Sequence, residues 1–124
     1  IIMKSFLLVF LGGGLGSALR YLVASAMNQY SKVLPFGTFT VNILGCLLIG
    51  MILGYAQKEN TLTSNQILLL ATGFCGGFTT FSAFANENLE LIKNGEIFNF
   101  SFYTIGSVLI GILAVYIGFY LTNR

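Results

Sequence analysis

The sequence predicts an all-α membrane protein with four transmembrane helices, and two observations carry this prediction. Of the 124 residues, 56% are hydrophobic and only 8% are charged, whereas a soluble domain carries about 25% charged residues. The apolar residues also fall into four windows of the length that a helix needs to cross a bilayer. These windows are residues 5–27, 36–56, 67–92 and 100–121.

The connectors between the windows are short and polar. Residues 28–35 contain Lys32 and the single proline, and the other two connectors are residues 57–66 and 93–99. Because these segments leave no room for a soluble domain, we expect residues 1–124 to form one four-helix transmembrane domain.

Composition argues against several classes of function. A net charge of +2, with Lys and Arg scattered along the chain, does not form the basic patch of a nucleic-acid-binding protein. The sequence has no histidine, which is the commonest metal ligand and proton shuttle. Cys46 and Cys75 lie within apolar windows, where we expect them to pack as small hydrophobic side chains.

The first window contains the only charged residue deep inside a predicted span, Arg20. Lys4 before an apolar run, with Ala24 and Ala26 further on, resembles a cleaved signal peptide, but Arg20 and several glycines interrupt that run. A charged residue inside a membrane indicates function by default. Two interpretations of Arg20 stay open: a structural tie to backbone carbonyls, or a vestibule that attracts anions.

Small residues at four-residue spacing predict where the helices pack. Gly12 and Gly16 in the first window, and Gly50 and Gly54 in the second, have the spacing at which helix backbones approach closely in lipid. In the fourth window one helix face carries small residues and two hydroxyl groups, and we expect it to meet protein. The residues on that face are Tyr103, Ser107, Gly111, Ala114 and Gly118.

The second window carries two neutral hydrogen-bonding side chains on one helix face, Thr38 and Asn42, which are four residues apart. Such groups commonly bond to a neighbouring helix. They also suit a small anion, because an amide and a hydroxyl donate hydrogen bonds without adding a charge that would trap it. Both interpretations stay open.

The third window predicts a break in its helix near the membrane midplane. Gly76 and Gly77 are adjacent, and Thr79 and Thr80 follow them. Broken backbone at that depth is tolerated only where protein or a water-filled cavity satisfies it, which marks a functional centre. Carbonyls freed between Gly76 and Thr79 could hold a cation, and the helix that restarts there would direct its positive end inward.

Two aromatic and two acidic residues follow the break. The spacing of Phe81 and Phe84 by itself favours simple packing, and the alternative is that the positive ring edges face an anion. Glu87 and Glu90 lie toward the end of the same helix. For both, interfacial solvation is the favoured interpretation.

Positive charge is almost balanced between the two sides of the predicted bundle. Lys4, Lys58 and Arg124 lie on one side, and Lys32 and Lys93 lie on the other. Cytoplasmic loops normally carry an excess of Lys and Arg. Either a weak bias orients every copy the same way, or copies insert both ways up and pair antiparallel.

At these residues the chain resembles the Fluc/CrcB fluoride channel family. The resemblance covers essentially the whole chain and three ordered motifs: the glycines 12–16 with Arg20, residues 35–45 with Gly37 and Asn42, and residues 73–82. One departure is Ala83, where family members commonly carry Thr.

The resemblance implies a fluoride-selective channel in a bacterial cytoplasmic membrane, built as an antiparallel, dual-topology homodimer with two pores and a structural sodium ion between the subunits. It implies that backbone carbonyls of Gly76 and Thr79 bind this sodium and that Arg20 and Glu87 lie at a vestibule. The residues that it assigns to the fluoride pathway are Phe81, Phe84, Asn42, Thr38, Tyr103, Ser107, Thr80 and Ser82.

Such a channel needs no chemical step, because the membrane potential supplies about 2.3 kcal/mol per charge per 100 mV to drive fluoride outward. The chief alternative is a proton-coupled exporter of the small multidrug type, which requires an ionisable group at the midplane. The four acidic residues lie in loops or toward the end of the third window, which disfavours that class. A lipid-organising subunit would not explain the predicted break.

Overall fold

The computed structural model describes residues 2–29, 33–59 and 61–124, so Lys32 of the charge balance and Ile1 lie outside the described residues. Within them, four helices are long and apolar enough to cross a membrane, and each contains one of the predicted windows. The chain is therefore an all-helical, multi-pass membrane protein. The four helices are Ile2–Asn28, Phe36–Lys58, Ser64–Lys93 and Ile97–Asn123.

Three of the spans are continuous helices: α1 (Ile2–Asn28), α2 (Phe36–Glu59) and the last helix, α6 (Ile97–Asn123). Pro35 precedes α2, as expected of a residue that restricts its neighbour to extended backbone. Before α6 the chain turns at Gly95, whose φ of 74° is in the left-handed region that favours glycine.

The third span is a chain of shorter segments. Thr63 and Gln66 form a capping box at the start of α3 (Ser64–Ile67), and a π-helical segment (Leu68–Cys75) and α4 (Gly76–Phe78) follow. Thr79 and Thr80 then have extended backbone, with ψ angles of 162° and 125°, before α5 (Phe81–Lys93) begins. Nothing in the residue pattern signalled the π-helical turns, which recur at functional sites in other proteins.

Gly76 and Gly77 are themselves helical, so the extended residues are the two threonines that follow them. Gly77 instead permits a close approach: a side chain there would overlap the carbonyl oxygen of Gly13 on α1. Gly77 therefore lets the third span lie against the first, and the helical backbone ends one residue later, at Phe78.

Glycines also set the other helix contacts. A Cβ atom on Gly12 or Gly16 would overlap the backbone of the third span, and one on Gly50 or Gly54 would overlap the backbone of α6. On α6 the predicted face lies against protein, since Tyr103, Gly111, Ala114 and Gly118 are buried. The packing role predicted from four-residue spacing is confirmed at these positions.

The packing of α1 predicts that alanine substitutions at Gly16 and Gly14 affect stability differently. We expect Gly16→Ala to destabilise the protein by about 1–3 kcal/mol, the typical cost of overpacking, because the new Cβ would overlap the Phe74 carbonyl. Gly14→Ala meets no atom within 4 Å and gains helix propensity. Thermal unfolding in detergent compares the two variants, and equal midpoints would contradict the close contact at Gly16.

Candidate functional site

The extended residues Thr79 and Thr80 interrupt the third span, and one side chain of α2 forms hydrogen bonds to this interruption. The Asn42 amide donates through Nδ2 to the Thr80 carbonyl (3.1 Å) and accepts from the Thr80 backbone N–H through Oδ1 (2.8 Å). Thr79 Oγ1 donates to the Cys75 carbonyl (2.9 Å), and Thr80 Oγ1 accepts from the Ala83 N–H (3.2 Å). These bonds satisfy backbone groups that would otherwise be unpaired in an apolar environment.

A groove with a volume of about 370 Å³ lies beside this interruption. Its walls come from α2, from the extended residues, from the start of α5 and from α6. The groove brings together most residues of the predicted fluoride pathway. They are Asn42, Thr80, Phe81, Phe84 and Ser107, and the groove is also lined by Thr79, a predicted sodium ligand.

The two aromatic residues of the groove differ in their surroundings. Phe81 is 79% exposed, whereas Phe84 is 9% exposed. Their ring centroids are 5.8 Å apart, and Phe84 lies 5.0 Å from the Tyr103 ring in a tilted arrangement. Packing within the chain therefore accounts for Phe84 but not for Phe81.

Ser107 offers a hydrogen-bond donor to the groove. Its Oγ atom is buried and, among the described residues, has no hydrogen-bond partner. An unpaired buried hydroxyl is unfavourable by about 1–3 kcal/mol. The hydroxyl is thus available to a group that enters the groove.

Two further pathway residues, Thr38 and Tyr103, meet around the carboxylate of Glu87. Thr38 Oγ1 donates to Oε2 of Glu87, and Tyr103 Oη donates to Oε1 at 2.9 Å. Glu87 is partly buried, and two helices supply hydrogen bonds to its carboxylate that the favoured interpretation of interfacial solvation did not include. Glu90 is exposed and pairs with Lys93 (3.4 Å), as that interpretation expects.

Arg20 is tied to backbone and also faces a cleft. Its Nε donates to the Gly77 carbonyl at 3.0 Å. The cleft, of about 250 Å³, is lined by Arg20, Thr38, Thr80 and Glu87 among others, so Thr80 contributes to both the cleft and the groove. The structure thus contains the backbone tie, and Arg20 and Glu87 both line one cavity.

Two other predicted site residues also lie apart from the groove. Ser82 is exposed and contacts Thr80 Oγ1 at 3.3 Å, and Gly76 is exposed on α4. Sequence reasoning missed Cys46, which lines the groove one helical turn after Asn42, and Ser17, which donates to the Gly77 carbonyl one turn before Arg20. Both could have been found from their three- or four-residue spacing.

The described residues contain no group of three or more His, Cys, Asp or Glu that could hold a metal ion. A cation bound here would therefore need neutral oxygen ligands. The interactions around the interruption engage the carbonyls of Cys75, Gly77 and Thr80. They leave out the carbonyls of Gly76 and Thr79, whose neutral oxygens fit a hard monovalent cation.

Comparison with known proteins adds a family-level finding. Residues 7–119 match the model of the family described as CrcB-like protein, Camphor Resistance (CrcB). A relative from Phocaeicola vulgatus is 52% identical over 98% of this chain and 100% of its own, and one from Flavobacterium psychrophilum is 45% identical over 94% of each. A third, from Gloeothece citriformis, is 48% identical over 98% of this chain and 99% of its own. All three relatives are named "Fluoride-specific ion channel FluC".

Proposed function

We propose that the chain, which belongs to the CrcB-like family, is a fluoride channel that lets the anion leave a bacterial cell through the cytoplasmic membrane. The names of its relatives support this proposal, and so does their similarity along nearly the whole chain. These relatives are named as channels, not enzymes.

The observation that carries the proposal is the chemistry of the groove beside Thr80. None of the described residues that line it is charged. They offer instead the Asn42 amide, the unpaired Ser107 hydroxyl and the rings of Phe81 and Phe84. Hydroxyl and amide donors together with positive ring edges can replace water around a small anion without holding it too tightly to leave.

Conduction through such a path is passive. Arg20 and Glu87 line the cleft that shares Thr80 with the groove, and we assign this cleft to the vestibule. Fluoride would pass from it along Thr38, Tyr103 and Ser82 to the groove. The membrane potential then drives the anion outward, at about 2.3 kcal/mol per charge per 100 mV.

The proposed assembly is an antiparallel homodimer with two pores and a sodium ion at its interface. The large exposed apolar side chains of α1 and α5, which include Phe10 and Phe81, would be covered by lipid or by the second copy. The third span would then act as a broken transmembrane helix, with Gly76 and Thr79 carbonyls from both copies binding sodium. Sodium would supply positive charge that holds the two interruptions together.

Fluoride efflux from proteoliposomes that contain only this protein tests the function. We expect rapid fluoride release and negligible chloride release from matched vesicles, because the groove offers closely spaced donors to the smaller ion. Empty vesicles are the control. Chloride release at the fluoride rate would contradict a selective channel.

Reporters fused to the C-terminus test dual topology. We expect the same fusion to appear on both membrane faces in comparable amounts, since positive charge scarcely differs between the two sides. Adding two lysines beside Lys93 should shift the population toward one orientation. A uniform orientation of the unmodified chain would count against the antiparallel dimer.

The proton-coupled multidrug exporter remains the alternative, and the relatives do not favour it. That mechanism would require Glu87 to release and bind protons during transport, although its carboxylate accepts hydrogen bonds from Thr38 and Tyr103. Proton uptake driven by a cationic drug in proteoliposomes would support the exporter, and fluoride flux without such uptake supports the channel.

A further inference from the structure

Attraction of anions would need only the charge of Arg20, but the Arg20 side chain also donates a hydrogen bond to the backbone. Its Nε–H donates to the carbonyl of Gly77 (3.0 Å), and the hydroxyl of Ser17 donates to the same carbonyl (3.3 Å). Among the described residues this carbonyl is the only hydrogen-bond partner of Arg20, and no carboxylate pairs with its guanidinium. The one charge deep in α1 is therefore directed at backbone.

The bond from Arg20 matters because Gly77 lies next to the end of α4. Gly77 precedes the extended Thr79 by two residues, so its carbonyl belongs to the last turn before the helical backbone stops. Carbonyls at a helix end lack intrahelical partners and carry partial negative charge, which a nearby cation stabilises. Gly77 also packs against the Gly13 backbone so closely that a side chain would not fit. The peptide is thus held by packing and by two donors of α1.

We infer that Arg20 is a positioning residue that holds the Gly77 carbonyl against α1 and thereby sets the sodium affinity of the Gly76 and Thr79 carbonyls. A peptide unit is planar and leaves two soft dihedral angles per residue. Fixing the carbonyl of Gly77, which lies between the two proposed ligands, therefore restricts the directions of both. The inference rests on the sodium site of the proposed function.

Two substitutions separate the hydrogen bond from the charge. In Arg20→Gln the side-chain nitrogen is the same number of bonds from Cα as Nε, so a donor is kept and the charge is lost. In Arg20→Lys a methylene takes the place of Nε–H, so the charge is kept and the donor at that position is lost. Arg20→Met removes both. Lys93→Gln is the matched control, because it removes a positive charge from an exposed side chain.

The first measurement is the sodium concentration that half-stabilises each purified variant against thermal unfolding. We expect Arg20→Met and Arg20→Lys to need at least about tenfold more sodium than the parent, the effect of losing one charge-assisted hydrogen bond. Arg20→Gln should stay within about threefold of the parent, since a neutral donor retains part of that bond. Fluoride flux through Arg20→Lys should recover at saturating sodium.

The second measurement is amide hydrogen exchange in sodium-free buffer, so that it does not depend on sodium binding. The Thr79 N–H donates to the Cys75 carbonyl and the Thr80 N–H donates to Asn42. We expect both amides to exchange faster in Arg20→Met than in Lys93→Gln. Unchanged exchange at these two amides would overturn the positioning role.

The outcomes separate this inference from the proposed function. If Arg20→Lys matches the parent in both measurements while Arg20→Gln loses flux at every sodium concentration, Arg20 acts through its charge and the inference is wrong. If the parent itself shows no sodium dependence, the sodium site fails and the affinity claim fails with it. Hydrogen exchange then still reports whether Arg20 holds the interruption, and fluoride flux reports the channel.

Discussion

Asn42→Asp is expected to nearly abolish fluoride efflux. Asn42 lines the groove, and a carboxylate there would meet the permeating anion at close range. Two like charges about 4 Å apart repel by roughly 4 kcal/mol near a protein surface, which corresponds to a rate reduction of about a thousandfold. The carboxylate would also lose the amide N–H that donates to the Thr80 carbonyl. Efflux from proteoliposomes measures the loss.

Two controls distinguish repulsion from disruption of the interruption. Asn42→Ala removes both hydrogen bonds to Thr80 without adding charge, and we expect it to lower stability by about 1–3 kcal/mol and to keep more flux than Asn42→Asp. Asn88→Asp introduces the same charge at a buried asparagine that bonds to Thr104 and does not line the groove. Equal loss of flux in Asn88→Asp would mean that the effect is not local, and parental flux in Asn42→Asp would remove Asn42 from the pathway.

Phe81→Ile and Phe84→Ile should each slow fluoride efflux by at least about tenfold in protein that elutes as the parent does. An aliphatic side chain lacks the quadrupole whose positive rim attracts an anion, and the loss of about 1.5 kcal/mol of such contact raises the barrier by that factor. Stability should respond differently. Phe84 packs between Phe81 and Tyr103, so its replacement should cost up to about 1.5 kcal/mol.

The chain offers a matched control for Phe81. Phe98 is exposed to the same extent, 79%, and stacks on Phe102 of the same helix. Phe98→Ile makes the same change of side chain outside the groove and should leave efflux unaltered. If Phe81→Ile and Phe84→Ile conduct at the parental rate, the aromatic pathway is wrong and the two rings only fill space.

Much of the site could be predicted because its signals are local. The pair Phe81 and Phe84, the neighbours Thr79 and Thr80, and the four-residue spacing of Thr38 and Asn42 are all visible in short stretches of sequence. Asn42 indeed lines the groove, whereas Thr38 instead donates to Glu87. Four-residue spacing predicts that two residues lie on the same helix face, but it does not predict which neighbouring helix each residue will contact.

Glu87 shows what the position of a residue along a helix leaves out. Its location toward the end of the third span favoured solvation, as found for Glu90 one turn later. The outcome differs because α2 and α6 each present a hydroxyl to Glu87, from Thr38 and Tyr103. The depth of a side chain in a bundle depends on the register of the helices that pack around it.

The sequence by itself determined the four spans and the glycine faces, because hydropathy, residue size and helical spacing act over a few turns. Only the tertiary structure decided the polar partners. Asn42 bonds to Thr80 across 38 residues, Thr38 to Glu87 across 49, and Arg20 to Gly77 across 57. Polar groups within an apolar environment must find such partners, and which ones they find depends on the rotation and register of packed helices, which no local pattern contains.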